Sequence, residues 1–111
     1  MPVLWHNPRC SKSRETLALL QQHGVEPTIV DYLKTPPSAA ELDRVLKLLG
    51  REPRELMRKG EDAFAGVPAN GSRAELIAYM VEHPKLIERP VFIHGKKAVV
   101  GRPPETVLTL L

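Results

Sequence analysis

The architecture of this chain can be read from residues 3–32, VLWHNPRCSKSRETLALLQQHGVEPTIVDY. A short β-prone run ends at an Asn-Pro dipeptide, which favours a turn, and helical spacing of apolar residues begins soon after Cys10. This helix is predicted to end near Gly24, and a second β-prone run follows over 28–32. Because a helix connects the two strands, we expect the strands to run parallel.

The middle of the chain has helical patterning. Ser38 and Glu41 have the spacing of a capping box in front of one apolar helical face, and Ser72 and Glu75 repeat that spacing in front of another. A short helical turn is predicted for 53–57, between these two helices. The sequence therefore predicts a helical insertion after the second strand.

The last third of the chain returns to strands. Two β-prone runs, 90–94 and 98–100, meet at the sequence His-Gly-Lys-Lys, which predicts a β-hairpin, and an amphipathic helix is predicted over 105–111. The whole order is a parallel β-α-β unit, a helical insertion, a β-hairpin and a final helix. We therefore expect an α/β protein with a mixed four-stranded sheet and helices on both faces, which is the thioredoxin-like arrangement.

Size, charge and hydropathy limit the class of protein. With 111 residues and 42% hydrophobic content, residues 1–111 are predicted to form a single domain. No apolar run approaches the ~20 residues of a membrane span, and residues 1–20 lack the pattern of an export signal, so we expect a soluble, cytoplasmic protein. The net charge of +3 is scattered along the chain and aromatic content is only 5%, which does not call for nucleic acid and fits a small anion equally well.

The single cysteine, Cys10, is the main candidate for chemistry. A thiol is nucleophilic as the thiolate, and the pKa of a thiol falls at helix N-termini and beside cations. Four basic side chains lie close in sequence: His6, Arg9, Lys12 and Arg14. Ser13 could donate a hydrogen bond to the sulfur from the first helical turn. An inert, buried cysteine is the alternative interpretation, which the polar surroundings disfavour.

The spacing around Cys10 separates several kinds of cysteine chemistry. A redox dithiol would need cysteine at the position of Ser13, and a phosphatase-type anion loop would need arginine at the position of Thr16. The cysteine and the four histidines lack the spacing of zinc ligands, so we expect no bound metal or cofactor. With no partner for an internal disulfide, any second thiol in the reaction must come from another molecule.

The sequence resembles the glutaredoxin-dependent arsenate reductases and their relatives of thioredoxin-like fold. Residues 6–17, HNPRCSKSRETL, are similar to the active-site signature of that family, His-Asn-Pro-x-Cys-x-x-Ser-Arg-x-Thr-Leu. Further matches follow in the same order along the rest of the chain, at 26–28, 32–33, 36–37, 56–59, 83–90 and 102–103.

The resemblance implies an oxidoreductase acting on arsenate, with a role in arsenic resistance. Cys10 would attack the oxyanion, glutathione would attack the resulting adduct, and glutaredoxin would release arsenite. His6 and Ser13 match positions associated with keeping the thiolate charged. Three arginines match the positions that hold the oxyanion, as the forked guanidinium group suits: Arg58, Arg89 and Arg102. Pro90, at the start of the third predicted strand, matches the position of a cis proline.

Two other functions stay open at this point. A non-catalytic adaptor or regulator of the same fold, of the kind that docks on RNA polymerase, would usually carry Cys-x-x-Cys and would need no oxyanion pocket. A glutathione-linked thiol transferase acting on another substrate would turn over mixed disulfides without arsenate. An assay for arsenate reduction separates these possibilities from the first.

Overall fold

A mixed sheet of four strands forms the centre of the fold. In the computed structural model, which describes residues 2–111, the strands are β1 (Pro2–Trp5), β2 (Thr28–Val30), β3 (Val91–His94) and β4 (Lys97–Val100). Their order across the sheet is β2-β1-β3-β4, with β1 and β2 parallel and the other neighbours antiparallel. The thioredoxin-like arrangement of a parallel pair followed by a hairpin is therefore confirmed.

The helices are of two kinds. The α-helices are α1 (Ser11–Gln22), α2 (Ala39–Leu49) and α3 (Arg73–Glu82). The 3₁₀ helices are Pro53–Leu56, Asp62–Gly66, Pro84–Leu86 and Pro104–Leu110. In the part of the chain that the structure describes, no helix combines the length and the apolar character needed to cross a membrane.

The last helix and the second strand differ from the prediction. The segment expected as an amphipathic helix over 105–111 is the 3₁₀ helix Pro104–Leu110, because a segment this short gains little from α-helical cooperativity and begins next to two prolines. Strand β2 ends at Val30 and not at Tyr32. The Asp31 carbonyl is no longer available to the sheet, because it accepts turn hydrogen bonds from the Lys34 and Thr35 amides at 3.0 and 2.8 Å.

The first of two compact units comprises 2–35 together with Arg89–Leu111. Its core is formed by four fully buried side chains, one each from β1, α1, β3 and the last 3₁₀ helix: Leu4, Leu20, Phe92 and Val107. Burying an aliphatic or aromatic side chain of this size stabilises a fold by about 1.5–3 kcal/mol. This packing fixes α1 against the sheet, so the start of α1 has a defined place beside the end of β1.

The second unit, Pro36–Glu88, is the predicted helical insertion. Helices α2 and α3 contact each other through buried apolar residues, and an isolated antiparallel bridge joins Met57 to Ile87. Ser72 caps α3 in a complete capping box, as predicted. At α2 the Ser38 hydroxyl accepts from the Glu41 amide, but the Glu41 carboxylate turns to Arg44 at 2.6 Å.

Candidate active site

Cys10 lies between β1 and α1, at the N-terminus of the helix. Its amide donates to the Asn7 carbonyl at 3.0 Å, which closes a tight turn, and its carbonyl accepts the first helical hydrogen bond, from the Arg14 amide, at 3.0 Å. Cys10 is thus at the start of the helix, as the sequence predicted, and is its N-cap residue, yet its side chain makes no capping hydrogen bond. The partly exposed sulfur stands beside backbone N–H groups that carry the positive end of the helix dipole.

Asn7 holds the turn that carries Cys10. Its side-chain oxygen accepts from the Arg9 amide at 3.0 Å, and its own amide donates to the Ser13 hydroxyl at 3.0 Å. Asn7 is buried although it is polar. The sequence marked Asn7 as half of a turn-forming dipeptide and as part of the family signature, and its hydrogen bonds to Arg9 and Ser13 are contacts that the spacing does not reveal.

His6 and Ser13 form a buried pair beneath this turn. His6 Nδ1 lies 2.6 Å from Ser13 Oγ. Burial lowers the pKa of His6; the Asp31 carboxylate works against this shift, and the Arg14 guanidinium adds to it. The ring is therefore uncharged at neutral pH.

The Ser13 hydroxyl takes a different direction from the one expected. Among residues 2–111, its hydrogen bonds go to His6 and Asn7 and not to the sulfur of Cys10. The hydroxyl is fully buried. Ser13 therefore stabilises the turn before Cys10 through its buried contacts with His6 and Asn7.

The structure brings Arg102 to the sulfur of Cys10. Its Nη2 lies 3.7 Å from Cys10 Sγ, and its Nε donates to the Arg89 carbonyl at 2.7 Å. The carbonyl thus orients the guanidinium of this exposed side chain. The peptide bond before Pro90 is cis, as predicted, and so is the bond before Pro103, which was not predicted.

Gly101 allows the chain before Arg102 to pass close to α1. A Cβ at this position would lie 2.8 Å from Thr16 Oγ1 and 2.9 Å from Pro90 Cγ, closer than side chains approach. The Gly101 amide also donates to the Pro90 carbonyl at 2.9 Å. The sequence did not mark Gly101, for which the one signal was a glycine directly before Arg-Pro, and it marked Thr16 only through the motifs around Cys10.

Arg58 belongs to the second unit, Pro36–Glu88, where its guanidinium faces two carboxylates. Arg58 Nη1 lies 2.7 Å from Glu61 Oε1, and its Nε lies 3.7 Å from Glu88 Oε1. Its side chain is 27% exposed, so these contacts are only partly screened by solvent. The expected binding of an oxyanion by Arg58 and by the Arg89 side chain stays a prediction.

Within residues 2–111, no group of three or more His, Cys, Asp and Glu side chains is placed to hold a metal ion. The chemistry that the site can support is that of a partly exposed thiol, an adjacent guanidinium and the free N–H groups of a helix start. Together these groups suit a tetrahedral oxyanion.

Comparison with known proteins gives consistent matches. A model of the ArsC family matches residues 5–110. The chain is 53% identical to the "Uncharacterized protein YfgD" of Escherichia coli strain K12, covering 97% of this chain and 94% of that one. It is 46% identical to an arsenate reductase of Haemophilus influenzae, covering 98% and 97%. The solved structure of an arsenate reductase from Vibrio cholerae superposes with a TM-score of 0.94 at 47% identity, covering 99% and 97%.

Proposed function

Since this chain belongs to the ArsC family, we propose that it is an oxidoreductase that reduces arsenate to arsenite, with Cys10 as the nucleophile. The observation that carries the proposal is the contact of 3.7 Å between Arg102 Nη2 and Cys10 Sγ at the uncapped start of α1. A thiolate and an oxyanion both gain from this combination of guanidinium and helix N–H groups.

The first step is attack by the Cys10 sulfur on arsenic. A sulfur–arsenic bond forms and an arsenic–oxygen bond breaks, and that oxygen leaves as water after taking up protons. Arsenic is still in oxidation state five at this stage. The backbone N–H groups of α1 and the Arg102 guanidinium stabilise the negative oxygens that remain.

The reduction itself needs two electrons, which two thiols supply when they form one disulfide. Because the chain has a single cysteine, we propose that both thiols are external. Glutathione displaces a second oxygen as water, and a glutaredoxin thiolate then attacks the glutathione sulfur. The bond between arsenic and the glutathione sulfur breaks, and its two electrons stay on arsenic. Water then hydrolyses the remaining bond, between arsenic and the Cys10 sulfur. The net reaction turns arsenate and two thiols into arsenite, a disulfide and water.

The other site residues support this chemistry in different ways. Arg102 pairs with the oxyanion, and we propose that Arg89 and Arg58 contribute further guanidinium groups, Arg58 by exchanging a carboxylate partner for the substrate. His6 and Ser13 hold the turn that presents Cys10. The dependence on glutathione and glutaredoxin places the proposed reaction in the cytoplasm.

The experiment is an assay with arsenate, glutathione and glutaredoxin, in which disulfide formation is followed through glutathione reductase. We expect arsenite to be produced by the wild-type chain and not by Cys10→Ser. Wild-type turnover no higher than that of Cys10→Ser would overturn the proposal. Turnover of a glutathione mixed disulfide without arsenate would support a thiol transferase instead.

A further inference from the structure

A cavity of about 270 Å³ lies against the turn that carries Cys10, within the first unit. Its walls come from the turn and from the segment that follows β2: Asn7, Pro8, Arg9, Asp31, Leu33 and Lys34. Three of these residues directly precede Cys10 in the chain, and the Cys10 amide is bonded to the Asn7 carbonyl at 3.0 Å. The cavity is therefore a neighbour of the reactive sulfur.

The charged groups of this cavity are of both signs. Arg9 and Lys34 are exposed cations, and the partly buried Asp31 supplies a carboxylate. Among residues 2–111, none of the three takes part in an ion pair. The Asp31 carboxylate accepts one hydrogen bond, from the Leu33 amide to Oδ1 at 3.2 Å, which fixes its orientation.

This arrangement is complementary to a zwitterion. A ligand carboxylate would meet Arg9 and Lys34, and a ligand ammonium would meet the Asp31 carboxylate, while Pro8 and Leu33 offer apolar contact to the carbons between them. An inorganic oxyanion would leave Asp31 facing a like charge. The cavity therefore fits an α-amino acid group better than it fits the arsenate of the proposed reaction.

We propose that this cavity binds the γ-glutamyl end of glutathione, the external thiol, whose free amino and carboxylate groups form such a zwitterion. In a γ-glutamylcysteine unit only a short chain of atoms separates the sulfur from these charged groups, which suits a sulfur directed from the cavity towards its neighbour Cys10. The inference rests on the proposed function in one respect only, which is that the external thiol is a γ-glutamyl peptide.

The first test uses S-methylglutathione, which has the same charged ends and no free thiol. We expect a titration of ¹⁵N-labelled protein to shift the amide signals of Arg9, Asp31, Leu33 and Lys34 in a saturable way. The double variant Arg9→Met/Lys34→Met should weaken this binding by about tenfold or more, since two charge contacts are lost. Shifts elsewhere, or unchanged affinity in the double variant, would overturn the proposal.

Two matched comparisons sharpen the assignment. Asp31→Asn keeps an oxygen for the Leu33 amide but loses the negative charge, so we expect binding about threefold weaker or more. S-methyl-cysteinylglycine, which lacks the γ-glutamyl group, should bind the wild-type chain less tightly by a similar factor. Equal binding of the two ligands would show that the γ-glutamyl end is not what the cavity holds.

The control is Lys96→Met, which removes an exposed lysine from the β3–β4 turn, outside the cavity. It should bind S-methylglutathione like the wild type. The proposal and the proposed function fail in different ways. Binding that depends on Arg9 and Lys34 without arsenate reduction supports the cavity and removes the function. Arsenate reduction in which Arg9→Met/Lys34→Met leaves the KM for glutathione unchanged removes the cavity and keeps the function.

Discussion

The N-cap residue of helix α3 is a serine whose side chain caps the helix, whereas the N-cap residue of helix α1 is a cysteine whose side chain does not. At α3 the Ser72 hydroxyl accepts from the Glu75 amide, and the Glu75 carboxylate accepts from the Ser72 amide, both at 3.2 Å. At α1 the Cys10 side chain leaves the first N–H groups without a side-chain cap. A good cap stabilises a helix by about 1 kcal/mol, so the start of α1 gives up stability and keeps donors for an anion.

Replacing Cys10 by serine converts the start of α1 into one that resembles α3, and it should have the largest effect. We expect arsenate turnover to fall by about a thousandfold or more, because the nucleophile is lost. We also expect the free energy of unfolding to rise by about 0.5–1 kcal/mol, because serine is a good N-cap and the backbone at this position is already extended. Urea unfolding and the arsenate assay measure the two effects. A less stable Cys10→Ser variant would contradict the account of α1.

Arg102 lies at the uncapped start of α1, and replacing it by lysine tests its contact with Cys10. Arg102→Lys keeps the charge but loses the fork and the bond to the Arg89 carbonyl, so the KM for arsenate should rise by about tenfold. Arg44→Lys on the exposed face of α2 is the matched control and should behave like the wild type. Equal KM values for the two variants would mean that Arg102 does not contact the substrate.

Helices α2 and α3 have serine caps, so the reverse experiment removes a cap. Ser72→Ala removes the cap of α3 and should lower the free energy of unfolding by about 0.5–2 kcal/mol, with no effect on arsenate turnover. Ser38→Ala should lower it less, because the Glu41 carboxylate is not part of a reciprocal box there. Urea unfolding at equal protein concentration makes this comparison. Loss of turnover in Ser72→Ala would show that the two helix starts are not independent.

The buried His6 beneath the start of α1 should give a small pH dependence. Burial lowers the pKa of His6 in the folded chain, so below its usual value of 6.5 the unfolded chain binds more protons. The stabilising contribution is thus complete above about pH 6.5 and is lost as the pH falls below it. Unfolding measured between pH 8 and pH 5 should show a shallower slope in His6→Gln than in the wild type. Identical slopes would mean that His6 is not the group responsible.

Local patterns in the sequence predicted much of the fold. β-Prone runs and turn residues located the four strands, and the spacing of Ser38 and Ser72 located two helix starts, because both signals depend on neighbours within a few residues. The same holds for Cys10 at the start of α1. Where an element is short and flanked by prolines, as at Pro104–Leu110, the competition between α and 3₁₀ hydrogen bonds is too even for such patterns to decide.

Contacts between distant parts of the chain could not be predicted in the same way. Sequence distance alone allows the Ser13 hydroxyl to pair with the Cys10 sulfur or with His6. Packing at the end of β1 brings it to His6. Arg102 is 92 positions from Cys10, so only a family resemblance suggested their meeting. The Glu88 carboxylate lies beside Arg58 because a bridge joins Met57 to Ile87, and no periodicity in the sequence indicates that bridge.

Because Gly101 has no side chain, positions 101, 16 and 90 are expected to change together in evolution. A larger residue there would press on the middle of α1 through Thr16 and on the start of β3 through Pro90 at the same moment. A lineage could enlarge position 101 only after shrinking its neighbours. Variants selected for new substrates should therefore change exposed positions such as Lys34 long before Gly101 is altered.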